Sequence, residues 1–144
     1  MFPRLVAFTA LFLLFISCSK ELGIEALNEE LNGNENPGPK ATFSFISSEI
    51  LDKRCATSGC HAGTVSPDLR SADAYMNIVN INSSTGMPHI TPGNPDSSYL
   101  YLKVIGAPGI NGSRMPRDRG TNGDLTQAQV DSIRIWIEEG ALNN

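Results

Sequence analysis

The sequence predicts an all-α domain of modest size. Four stretches carry apolar residues at helical spacing, and the segments between them are rich in Gly, Pro and Asn. The third observation is Cys55 to His61, Cys-Ala-Thr-Ser-Gly-Cys-His, a concentration of donors in a chain with three cysteines and two histidines.

The chain starts with an expected export signal over residues 1–17. Arg4 supplies the positive start, and the apolar run from Leu5 to Ile16 is too short to span a bilayer. Ser17 precedes Cys18 at the end of that run, the arrangement of a bacterial lipobox, so Cys18 is expected to become the lipidated N-terminus. A plain secretory signal is the alternative. Residues 18–41 follow as an acidic tether, with Lys20 and Lys40 set against Glu21, Glu25, Glu29, Glu30 and Glu35. With no aromatic residue it buries too little apolar surface to offset its ordering entropy, and a coil of this length spans about 25 Å.

Residues 42–144 form the expected helical domain, close to neutral in a chain of net charge −4, which argues against nucleic-acid binding. Its first helix, about Phe45 to Cys55, places Ile46 and Ile50 one turn apart with Leu51 beside them. The second is expected from Ser71 as N-cap to about Ile81, with Tyr75, Ile78 and Val79 on one side. The third follows Pro92-Gly93-Asn94-Pro95, with Asp96 or Ser97 as cap and Gly106 as stop. The fourth has a capping box at Thr126 to Gln129, a Leu125–Val130 staple, and an apolar stripe of Val130, Ile133, Trp136 and Ile137 ending at Gly140. That stripe needs a partner, and the first helix is the candidate.

Two thiols followed at once by an imidazole are what covalent haem attachment requires: Cys55 and Cys60 to add to the vinyl groups and His61 to bind iron. The usual spacing has two residues between the cysteines, and this chain has four. The extra pair must bulge from the loop, with Gly59 free to take a positive φ. A Cys55–Cys60 disulfide, a zinc site using His89 as well, and a redox dithiol are the competing readings. Haem c with Cys18 as lipid carrier accounts for all three cysteines. Between the third and fourth helices, Ser113-Arg114-Met115-Pro116-Arg117 sets a thioether in a polar loop, where it has no core role but could face a haem. Met87 and His89 are rival sixth ligands. His61 is expected to give its second ring N–H to a carbonyl of the following loop, with Pro67 the nominated acceptor. Arg114, Arg117 and Arg119 are candidate partners for propionates or for an acidic redox protein.

With these pieces in order, residues from about Phe43 to Leu142 resemble the monohaem c-type cytochrome domains of bacterial envelope proteins. The resemblance rests on Cys55 to Gly63, Pro92 to Leu100, Arg114 to Pro116, and Trp136 to Ala141. It implies a cytochrome c-like fold around one haem, with His61 proximal and Met115 distal, and terminal helices crossing near one haem edge. A chain of that kind is an electron carrier, not an enzyme, tethered in the envelope through lipid at Cys18 and exchanging electrons with redox proteins. The contrasting expectation is a haem-free, lipid-anchored interaction module stapled by a Cys55–Cys60 disulfide.

Overall fold

Among the described residues the helical part begins at Thr42, and its neighbours show why a helix starts there. The first amides of a helix have no partner inside it. Here Phe43 N donates to Asn144 Oδ1 and Ser44 N to the Asn144 carbonyl, both at 2.9 Å, while Phe45 N donates to the Thr42 hydroxyl. Asn144 therefore clasps the start of this helix. The computed structural model describes residues 38–117 and 124–144, within the compact unit Pro37–Asn144. The expected signal, Cys18 and all but residues 38–41 of the tether lie outside the described residues.

Helix α1 spans Phe43–Phe45 and runs straight into a π-helical segment, Ile46–Cys55. A π-helix bonds each amide five residues back and turns roughly every 4.4 residues, so positions i, i+4, i+5 and i+9 share a face. Those positions are Ile46, Ile50, Leu51 and Cys55; the first three are buried, and Cys55 packs against the core. At roughly 100° per residue an α-helix would turn Cys55 to the side opposite Ile46. The wider pitch sets which way the first cysteine points.

Helix α2 covers only Ala74–Ile78, shorter than the expected run from Ser71 to about Ile81. The amide of Ser71 is held by the Asp52 carboxylate, and the Arg70 carbonyl takes the amides of both Asp73 and Ala74. Those bonds hold a turn where Ser71 would have capped. After Ile78 the chain folds back in a hairpin-like loop with isolated bridges at Val79–Ile90 and Asn82–Pro88. A 3₁₀ turn, Pro95–Ser97, is capped by the Asn94 side chain, and the N-cap of the helix that follows is Ser98, where Asp96 or Ser97 is expected from the sequence. Helix α3 follows over Tyr99–Ile105 and stops at Gly106, which is left-handed at φ 69°. Helix α4, Gln127–Glu138, carries the full capping box between Thr126 and Gln129.

The core forms where α4 packs on the π-helical segment and on α3. Trp136 is 1% exposed and gives its indole N–H to the Leu142 carbonyl at 2.8 Å. Phe43 lies between Trp136 and Tyr75, with ring centroids 5.5 and 5.1 Å away, so one side chain joins α1, α2 and α4. Emptying the Trp136 site would cost about 3–5 kcal/mol. Among the described residues the regular structure is helical, with no strand, and no helix is long and apolar enough to cross a membrane.

Candidate functional site

The segment from Cys55 to Leu69 folds as a loop tied to itself. His61 N donates to the Cys55 carbonyl at 3.2 Å, which brings His61 back to the first cysteine and leaves the four intervening residues as a bulge. Cys60 N donates to the Thr57 carbonyl inside that bulge, and Gly59 has φ 75°. Val65 N reaches the Cys60 carbonyl and Leu69 N the His61 carbonyl. Cys55, Cys60 and His61 are thus held by backbone bonds of one short loop.

The imidazole of His61 is oriented by two acceptors. Nδ1 lies 3.0 Å from the Pro67 carbonyl oxygen, the acceptor nominated from the sequence, and 3.2 Å from that of Val65. A carbonyl oxygen only accepts, so Nδ1 carries the proton and Nε2 is left with its lone pair. This is the outer support that a metal-binding histidine requires, with the ring fixed and the second nitrogen available.

Cys55 and Cys60 are unbridged. Burial pushes the Cys55 thiol up to about 12, with the Arg54 charge opposing and Cys60 adding to the shift. A thiol held so far towards its neutral form behaves as a small apolar group and not as a reactive thiolate. Among the described residues, no three His, Cys, Asp or Glu side chains converge as a metal site, so a zinc centre made from protein ligands alone is not assembled there. A group needing one imidazole and two neutral sulfurs fits the loop better.

Met115 is positioned by the end of α3. The last carbonyls of a helix lack partners inside it; the Lys103 carbonyl accepts from Met115 N at 2.8 Å, and the Val104 carbonyl from Arg114 Nε at 2.8 Å. Arg114 also pairs with the Asp124 carboxylate at 2.9 Å, and Arg54 Nη2 donates to the Asp124 carbonyl at 3.1 Å. The residues directly before Cys55 and Met115 therefore converge on Asp124, which links the cysteine-bearing helix to the methionine loop. With both these bonds made, Arg114 ties the end of α3 to Asp124. Arg117 is exposed, and Arg119 lies outside the described residues.

The rival ligands part company. Met87 lines a hollow of about 250 Å³ with Tyr99, Leu102 and Ile110. His89 lines a larger groove of about 580 Å³ that includes Val65, Pro67, Met76 and Ile81. Its backbone is pinned on both sides, His89 N to the Ile81 carbonyl and its own carbonyl to Leu100 N. Burial lowers the His89 pKa, and the neighbouring His61 adds to that direction. The groove and Met76 went unread in the sequence, because their residues come together only through the fold. No protein-family model, no curated protein and no solved structure matches the chain.

Proposed function

We propose that this chain is a monohaem c-type cytochrome with a cytochrome c-like fold, an outer-sphere electron carrier tethered in the bacterial envelope by lipid at Cys18. The observation that carries this reading is the His61 ring. Its Nδ1 is committed to the Pro67 carbonyl at 3.0 Å and its Nε2 left free, on the loop that also holds two unbridged cysteines. Attachment would need no oxidant, since each thiol would add across one vinyl group, sulfur to one carbon and hydrogen to the other. The bound haem supplies one-electron iron chemistry.

The chain's own residues do the rest. Cys55 and Cys60 would hold the porphyrin, and His61 and Met115, the latter held by the last turn of α3, would ligate its iron. With two protein ligands the bound group would supply electron transfer and not a substrate site, which favours a carrier over a catalyst. A thioether ligand and a buried site both stabilise ferrous iron, so the reduction potential is expected to be positive. Partners are other redox proteins of the envelope. A haem stain after denaturing electrophoresis of the exported protein tests the reading: a stained band supports it. An unstained band with a Cys55–Cys60 disulfide would point to the haem-free interaction module.

A further inference from the structure

The groove beside the histidine loop has a composition that the core does not explain. Among the described residues, five large apolar side chains are exposed, and three of them, Val65, Met76 and Ile81, line this groove. Met76 is 74% exposed. Gathered apolar exposure marks a binding surface, whereas scattered single residues do not. Volumes of about 300–1,000 Å³ are usual for small-molecule and cofactor sites, and this groove has about 580 Å³.

Its polar members are of a particular kind. The ring nitrogens of His89 make no hydrogen bond to any described residue, and neither does the amide of Asn82. Asn77 uses one amide N–H on the Asp68 carbonyl. The one carboxylate in the lining, Asp68, is held by the Arg70 guanidinium, whose hydrogen bonds, with that of the Arg70 amide, keep its carboxyl below the usual range. The groove thus offers apolar walls, unengaged donors and no unpaired negative charge, and it starts on the loop that orients His61. An apolar plate with carboxylates along one edge suits that surface.

We propose that this groove seats the propionate edge of the porphyrin, with His89 and Asn82 donating to the carboxylates and Val65, Met76 and Ile81 against the ring. This rests on the haem reading above and assigns the carboxylates to the groove instead of to the arginines of the Met115 loop. His89 is then a positioning residue: its N–H, aimed at a carboxylate, would offset the propionate's negative charge and so favour the ferrous state.

The test uses the exported, haem-loaded protein and reads the reduction potential together with the propionate bending band in resonance Raman spectra. His89→Leu should lower the potential and shift that band, with the axial-ligand bands unchanged. His89→Gln, which keeps a donor, should restore both. Asn82→Ala, at an exposed position that folding tolerates, should shift the same band in the same direction. Arg117→Leu, at the exposed arginine of the Met115 loop, should leave the band in place. An unmoved propionate band in both the His89→Leu and Asn82→Ala proteins would overturn the proposal. So would a change of axial ligation in His89→Leu, which would make His89 an iron ligand. Failure of the wild-type protein to carry covalent haem would instead remove the reading underneath.

Discussion

Gly106 ends α3 and makes room for the Arg114–Met115 tie, so Gly106→Ala probes both at once. The residue has φ 69°, and the left-handed region costs a residue with a Cβ about 1–2 kcal/mol. The added Cβ would also lie 2.9 Å from Arg114 Cδ and 3.2 Å from Cγ, inside contact distance. The arginine stem is flexible, but Arg114 Nε is bound to the Val104 carbonyl and its Nη1 to Asp124, so moving it breaks those bonds. The buried-side hydrogen bond contributes about 1 kcal/mol and the exposed ion pair under about 1 kcal/mol. Together the expected loss is about 3 kcal/mol, a fall of roughly 12–24 °C in Tm for a domain of about 100 residues. Thermal and urea denaturation read it directly. In an Arg114→Ala background the steric part disappears, and Gly106→Ala should cost only about 1–2 kcal/mol. Equal cost in the two backgrounds, or a cost below about 1 kcal/mol in the first, would refute the reasoning.

Replacing Met115 with alanine should keep the haem, lower the potential, and let carbon monoxide or cyanide bind; an unchanged visible spectrum would pass the sixth position to Met87 or His89. Cys60→Ser should leave at most one thioether and a poor yield of holoprotein, and normal yield measured by haem stain would count against the attachment motif. In haem-free protein, a Cys55 thiol at about 12 has roughly a thousandfold less thiolate near neutral pH than one at its ordinary 9.0. Its alkylation should be slower by about that factor, rising tenfold per pH unit up to about 12, and rapid labelling of Cys55 in mass-mapped peptides would contradict its burial.

How much of this was legible in the sequence varies element by element. Helix α4 was readable from Thr126 to Gly140 because its cap, staple and stripe are all local signals, and the structure keeps the cap and buries the stripe with Leu125 and Val130. Gly106 as the stop of α3 was equally local. The π pitch of Ile46–Cys55 was not, since Ile46 and Ile50 suit either helix, and only Cys55 nine residues on separates the two. Helix α2 was drawn too long because Ser71 looks like a cap until Asp52, nineteen residues earlier, takes its amide. In the site, the His61–Pro67 bond spans six residues and could be anticipated. The meeting of Arg54 and Arg114 at Asp124, and the groove joining Val65, Met76 and His89, depend on contacts between distant segments, which carry no periodic signature.

The central claim is that Cys55 and Cys60 are thioethers of one haem. Intact-mass analysis of the native, exported protein tests it most directly, with peptide mapping of the Cys55–His61 segment. The account predicts the chain mass plus one iron porphyrin, with both sulfurs carrying it and no thiol to alkylate. A bare chain mass less two hydrogens, with Cys55 joined to Cys60, would contradict it.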